Sequence, residues 1–426
     1  MSVVEHAGED VAPERASRGR SFTSPRNGVA LAIAIVVLVV ESAVYYHLVR
    51  NQSGGFSDLF GRATNFQQLK STGNIYTSFS IEAFTYPPGG ILLLSPLVLI
   101  PTKWLAQVWT FAILVALTST LYLVIRRLTR HTSSSALLIA VAITVISPIA
   151  LSSVYDNIFW GQIGAFLTLA IVADVLVMKA PAQGVWVGLA TALKIYPGIF
   201  IVIWLVRRQF RQAITALATV AVVTLAATLL FYQSATTFFR DEIVGSQELE
   251  HFATYSTAQA SSSIDDVFLR PPYFLGHLSA SGSLAIAGVF AVIGVIAAYG
   301  AWLRGHEFTS MVIGLVISTI CSPIAWNHYF AFVPLLAFLP FEIGWRSWTT
   351  RFALLALVVN VVPWPRWKDV GVVQVLLPRN QLYLSYVSQN ATMVAMLLVM
   401  LVAAWEFWPD SLSLRRLRSR RLLHSS

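Results

Sequence analysis

Apolar runs of about 20 residues recur along almost the whole chain, and this pattern restricts the fold more than any motif does. Residues 31–40 and 213–230 are nearly unbroken stretches of Leu, Ile, Val and Ala. Inside hydrocarbon every backbone N–H and C=O must be satisfied within the protein, so only helices or closed barrels can span it. Barrel strands alternate polar and apolar residues, and these runs do not. With 56% hydrophobic and 12% charged residues, the sequence predicts an all-α, polytopic membrane protein with a single membrane domain.

The flanks have a different composition. Residues 1–27 are polar and rich in Ser, Glu and Arg, and read as a disordered cytoplasmic tail. Residues 28–408 form the membrane domain, and 409–426 a basic cytoplasmic tail. The run 28–48 exceeds the apolar core of a signal peptide and lacks a small-residue cleavage site, so it reads as a retained first helix. The single cysteine, Cys321, cannot form an intrachain disulfide and has no Cys or His at metal-site spacing.

Charge gives a topology. The net charge of +9 is concentrated in clusters: Arg15, Arg18, Arg20 and Arg26; Arg126, Arg127 and Arg130; Arg207, Arg208 and Arg211; and Arg415, Arg416, Arg418, Arg420 and Arg421. The positive-inside rule assigns these to the cytoplasm, and an even number of crossings must then separate each cluster from the next. The short, proline-bounded stretch 88–100 is accordingly predicted to be re-entrant or interfacial. Residues 184–206 are predicted to break at Lys194-Ile195-Tyr196-Pro197 into two arms, because proline cannot continue the helical ladder and disfavours helix at the residue before it. The other spans are 103–125, 135–154, 160–178, 210–231, 282–303, 308–325, 329–343, 350–363 and 389–408. With the first helix and the two arms, this makes about 12 crossings, with both termini cytoplasmic and outer-face loops at 50–102 and 232–281.

That map gathers the polar residues of otherwise apolar surroundings on the outer face: Asp58, Glu82, Tyr86, Asp156, Asn157, Trp160, Gln162, Lys194 and the turn Trp326-Asn327-His328-Tyr329. Asp58, the only acid between Glu41 and Glu82, suits a helix cap and also a general base. His328 suits an interfacial histidine bonded to backbone, or a proton carrier or phosphate contact. Lys194 places an ammonium in an apolar run, which is costly unless it is paired or meets an anion. Tyr86-Pro87-Pro88 reads first as a turn, and Gln162 as a partner for backbone groups. The acids between 241 and 266 read as a solvated loop face. The basic tail suits anionic lipid headgroups and gives no sign of nucleic-acid binding. No phosphate loop, His-Glu-x-x-His helix or Gly-x-Ser-x-Gly elbow is present. Asp58 has no second carboxylate close in sequence, so no metal site is expected there.

Taken in order, Asp58 just beyond the first helix, Thr85-Tyr86-Pro87-Pro88, Trp160-Gly161-Gln162, Lys194-Ile195-Tyr196-Pro197 and Ser322-Pro323-Ile324-Ala325-Trp326-Asn327-His328 resemble a known group. They look like the polyprenyl-phosphate-sugar-dependent membrane glycosyltransferases of GT-C fold, and glycosyltransferase family 87 in particular, over residues 28–408. The resemblance implies an inverting mannosyltransferase of the plasma (inner) membrane, using polyprenol-phosphate-mannose as donor and a mannose 2-hydroxyl of a phosphatidylinositol mannoside as acceptor. It implies no cofactor besides the lipid-linked donor. Asp58 would be the general base and His328 a second catalytic group. Lys194, Tyr86, Gln162, Trp326, Asn327 and Glu82 would contact substrate. A glycosidase needs two carboxyl groups because its leaving alkoxide must be protonated, whereas a lipid phosphate leaves readily, so one base suffices. Transfer of arabinofuranose, mannosylation of lipomannan, and transport of a lipid or sugar are the alternatives left open.

Overall fold

The computed structural model describes residues 25–52, 54–76, 84–240, 280–322, 325–361 and 381–409, and the secondary structure among them is helical throughout, with no strand. The chain opens with α1 (Pro25–Arg50), whose proline stands at the first helical position, where a missing N–H costs nothing. There follow α2 (Ser57–Thr72), α3 (Pro88–Leu94), α4 (Thr102–Leu128), α5 (Ser133–Ala150), α6 (Ser152–Phe159) and α7 (Gly164–Leu176). Next come α8 (Val185–Leu193), α9 (Ile199–Val206), α10 (Phe210–Leu230), α11 (Tyr232–Thr237), α12 (Ala280–Leu303) and α13 (Glu307–Ile320). The chain closes with α14 (Trp348–Val361) and α15 (Gln381–Phe407).

Among the described residues, α1, α4, α5, α10 and α12 are each long and apolar enough to cross a membrane. The pair α6 and α7, bent by 116° at residues 160–163, adds a sixth candidate if taken as one span. Of the shorter apolar helices, α13 packs against α12, and α14 against α15. This is the architecture of a helical membrane protein. Residues 329–343, expected as a span, are instead tight 3-10 turns (Asn327–Phe330 and Val333–Phe338) followed by a helical turn, Pro340–Ile343. Pro334 and Pro340 each remove a ladder donor and crowd the preceding turn, which a straight helix does not tolerate. Phe330, Phe332, Val333, Leu335 and Leu336 are nevertheless fully buried, so the segment serves as core.

Two apolar clusters organise the molecule. One surrounds α13, which is buried over its whole length from Phe308 to Ile320. The other joins the end of α1 to α2, α3 and the first half of α4 through Phe56, Leu59, Phe66, Tyr86 and Trp109. It forms the floor beneath the polar residues.

The break in 184–206 falls at Lys194, whose backbone is extended (φ −152°, ψ 130°) between α8 and a turn at Tyr196–Gly198. Small residues seat α8 tightly on α10: a Cβ at Gly188 would lie 2.6 Å from the Thr219 Cβ, and one at Gly184 2.4 Å from the Gln212 carbonyl oxygen. Since α9 ends at Val206 and α10 begins at Phe210, both outer ends of the broken segment lie at the same end of α10, with Lys194 at the far tip. The start of α8 is secured by Asp174, which is fully buried and accepts from the Gly184 N–H at 2.8 Å and the Val187 N–H at 2.7 Å. These are donors that a helix start leaves unpaired. Asp174→Ala is expected to cost about 2 kcal/mol by orphaning both, seen as a lower thermal midpoint of the detergent-solubilised protein. An unchanged midpoint would contradict this anchoring role.

Candidate active site

Asp58 lies in the first turn of α2, and the entry to that helix is tightly built. Gly55 packs so closely on the Val49 carbonyl that no Cβ fits. Phe56 takes a left-handed conformation (φ 59°), and its N–H donates to the Phe159 carbonyl at 2.7 Å, tying α2 to the end of α6. The helix then buries Leu59, Arg62, Asn65 and Phe66 along one face and exposes Phe60, Thr64, Gln67 and Lys70. This is an amphipathic helix resting on the bundle. The Asp58 carboxylate accepts from the Gln162 side-chain amide on one oxygen and faces the Ser57 hydroxyl at 3.4 Å on the other. Burial pushes its carboxyl above the usual carboxylate range, while Arg62, the Gln162 amide, Lys194 and the Ser57 hydroxyl pull it back.

Arg62, one turn further along α2, does not pair with Asp58. Its guanidinium donates to the Gly161 carbonyl at 2.8 Å and lies 5.4 Å from the centre of the Tyr86 ring. The same carbonyl accepts from the Trp109 indole of α4 at 2.8 Å. Gly161 can offer it because its backbone is left-handed (φ 67°) and because a Cβ there would lie only 2.6 Å from the Leu59 Cβ.

Lys194 enters from the break between α8 and α9. Its ammonium lies 3.7 Å from the ring centre of Tyr329, 5.4 Å from that of Tyr86 and 5.8 Å from that of Tyr196, a cage of three tyrosines. Tyr196 and Tyr329 stack at 5.4 Å. α3 approaches closely enough to close the cage because two glycines follow its first residue, Pro88: a Cβ at Gly89 would lie 2.6 Å from the Ala192 carbonyl oxygen. Among the described residues, neither Arg62 nor Lys194 has a carboxylate oxygen within 4.0 Å. The charges of Asp58, Arg62 and Lys194 nonetheless act on one another.

His328 is buried in the turn Asn327–Phe330, with its ring 5.0 Å from Tyr329 and within the field of Lys194 and Arg62. Its carbonyl accepts from the Asn157 amide of α6 at 3.2 Å. Asn327 donates to Asp156 at 2.7 Å and to the Ser152 hydroxyl at 3.3 Å, fastening the turn to α6, and Trp326 is the half-buried residue that starts the turn.

The structure thus brings Asp58, Gln162, Tyr86, Lys194 and His328 into one neighbourhood. Asn327 fastens the adjoining turn to α6, Trp326 begins that turn, and Glu82 lies outside the described residues. Sequence reasoning missed Arg62, and it gave no site role to Tyr196, in the Lys194 motif, or to Tyr329, beside His328 on the outer face. The spacing of Arg62, four residues after Asp58 on one helix, was the available signal. No group of three or more His, Cys, Asp or Glu side chains among the described residues is placed to hold a metal.

The fold and site define a helical membrane protein with a carboxylate beside two cations, and the relatives supply its class. Residues 84–323, more than half of the chain, match the model of glycosyltransferase family 87, and the chain belongs to that family. The matched stretch holds Tyr86, Gln162 and Lys194; Asp58 and Arg62 precede it and His328 follows it. The chain is 27% identical over 314 residues to the polyprenol-phosphate-mannose-dependent alpha-(1-2)-phosphatidylinositol mannoside mannosyltransferase of Mycobacterium tuberculosis, covering 70% of each. It is 24% identical to the enzyme of the same description from Mycolicibacterium smegmatis, covering 65% of this chain and 67% of that one. To the corresponding pentamannoside mannosyltransferase of Mycobacterium tuberculosis it is 25% identical over 368 residues, 82% of each. No solved structure matches the chain. The protein is a glycosyltransferase.

Gly161→Ala tests the local architecture, since it strains a left-handed backbone and drives a methyl into Leu59. It is expected to destabilise the protein by about 2 kcal/mol or more and to loosen α2 from the bundle, measured by thermal midpoint and by proteolysis within 57–72. Wild-type values in both would contradict the role given to this residue.

Proposed function

We propose that the protein transfers mannose from polyprenol-phosphate-mannose to a mannose 2-hydroxyl of a phosphatidylinositol mannoside, with inversion to an α-1,2 linkage. The observation that carries the reading is Asp58, a single hydrogen-bonded carboxylate set beside the buried Arg62 and the half-buried Lys194, neither of which has a carboxylate partner among the described residues. The donor and acceptor named for the relatives support the same chemistry.

In this mechanism the acceptor hydroxyl oxygen attacks the anomeric carbon as Asp58 takes its proton. The bond from that carbon to the phosphate oxygen breaks, and the phosphate leaves with the electron pair. Lys194 and His328 offset the charge gathering on it. A β-linked donor then yields an α-linked product. Tyr86, Gln162, Trp326, Asn327 and Glu82 border the bound sugars. Membrane orientation of both lipids supplies proximity. No metal or further cofactor enters any step.

The reading includes a GT-C type arrangement with about 12 crossings, termini in the cytoplasm and the site on the outer face of the plasma membrane. A nucleotide sugar is confined to the cytoplasm, so a lipid-linked donor suits that location.

The test uses purified protein with polyprenol-phosphate-mannose and a phosphatidylinositol mannoside. Asp58→Asn should keep the wild-type thermal midpoint and lose about 1,000-fold in rate. Activity within tenfold of wild type would remove Asp58 as base, and failure of the wild type to transfer mannose would remove the donor assignment. The pH profile gives a second check. Asp58 must be ionised to act and its carboxyl is raised, so kcat/KM should climb with pH through an apparent pKa above the ordinary 3.8. Gln162→Leu deletes a bond that favours the ionised form and should move this limb to higher pH. A limb that stays in place would separate Gln162 from the base.

A further inference from the structure

Arg62 is the most buried cation near Asp58, only 5% exposed, and the mechanism above does not use it. Its guanidinium and the Lys194 ammonium approach one tyrosine ring, each 5.4 Å from the centre of Tyr86. The two cations are therefore no further apart than the sum of those distances. Like charges that face one ring in a partly dehydrated site repel and lose hydration, and among the described residues no carboxylate within 4.0 Å of either offsets that cost. Asp58 supplies one negative charge, is bonded to Gln162, and lies beyond 4.0 Å from both cations. The guanidinium spends one donor on the Gly161 carbonyl, which fixes its position and leaves others of its five to bind an anion.

We propose that Arg62 is the second phosphate-binding cation of the site, paired with Lys194 across Tyr86, and that the pair prefers the phosphate after the sugar has left. This rests on the transfer reaction above. In the donor the phosphate is a diester with one negative charge. When the anomeric bond breaks and the oxygen keeps the pair, it becomes a monoester carrying a second negative charge, while the acceptor's proton goes to Asp58. A one-cation site would bind donor and leaving group with little distinction. Two cations hold the more highly charged species harder, and so also the transition state leading to it. Guanidinium geometry suits this because its forked donors can engage two phosphate oxygens together.

The experiment is product inhibition of mannosyl transfer by polyprenyl phosphate, alongside steady-state kinetics and thermal midpoints, for wild type, Arg62→Gln and Arg62→Lys. In Arg62→Gln the inhibition constant for polyprenyl phosphate should rise roughly 10- to 100-fold, kcat should fall, and the acceptor KM should stay within about twofold of wild type. Arg62→Lys keeps the charge without the fork and should give a smaller rise in the same constant. If Arg62→Gln does not fold, Arg62→Lys carries the test alone. An unchanged inhibition constant in a folded variant, with only the thermal midpoint lowered, would reduce Arg62 to a strut between α2 and Gly161 and overturn the proposal. Failure of the wild type itself to be inhibited by polyprenyl phosphate would instead overturn the underlying donor assignment.

Discussion

The carbonyl oxygen of Gly161 receives hydrogen bonds from the Arg62 guanidinium of α2 and the Trp109 indole of α4, and the rest of the site is referred to it. A carbonyl has two lone pairs, and here both are committed to elements remote in sequence. Because Gly161 is left-handed and pressed against Leu59, the oxygen cannot turn elsewhere without dislodging the start of α2. The next residue is Gln162, whose amide reaches Asp58. One turn of backbone at the bend between α6 and α7 therefore sets the position of the carboxylate and of the nearest cation together. The apolar contacts of Phe56, Leu59 and Phe66 hold α2 down, and the hydrogen bonds decide its register.

The electrostatic balance of the neighbourhood explains why it is built of tyrosines. A desolvated cation–π contact contributes about 2 kcal/mol, whereas withdrawing an ion from water costs several. The cage of Tyr86, Tyr196 and Tyr329 therefore offsets only part of the cost of Lys194, and Arg62 adds to it. Hydroxyl groups at the ring edges give polar partners without adding negative charge. A carboxylate in their place would neutralise the cations and close the site to an anion. Among the described residues the site is short of negative charge where a phosphate would supply it, and Asp58 is in no ion pair with them and is available for a proton.

Much of the helical framework was legible in the sequence. The apolar runs placed α1, α4, α5, α10 and α12 to within a few residues, because in hydrocarbon a run of that length has no other way to satisfy its backbone. Pro197 marked the end of α8, for the same steric reason that proline breaks helices in water. The reading of 329–343 as a span went astray because hydropathy counts side chains and ignores missing donors. Pro334 and Pro340 turned an apolar segment into buried turns. The bend of 116° between α6 and α7 was not visible either, since the sequence placed residues 155–159 between two spans and gave α6 no helix of its own.

Gln162, Lys194 and His328 could be singled out because each is a polar residue in or beside an apolar run, and Asp58 because it is the only acid between Glu41 and Glu82; both are properties of the residue and its neighbours in sequence. Arg62 could not be singled out in the same way, since an arginine on a polar surface helix is ordinary until its burial is seen. Tyr196 and Tyr329 were equally hidden, because an aromatic ring near a membrane surface is ordinary and a cage exists only when three rings meet around one ammonium. The sequence by itself determined that the chain is a membrane bundle and which polar side chains it retains, since the bilayer sets those terms residue by residue. Only the tertiary structure decided which of them share a site, because the packing of α2, α3, the broken segment at Lys194 and the 327–330 turn depends on contacts between parts of the chain that local sequence does not relate.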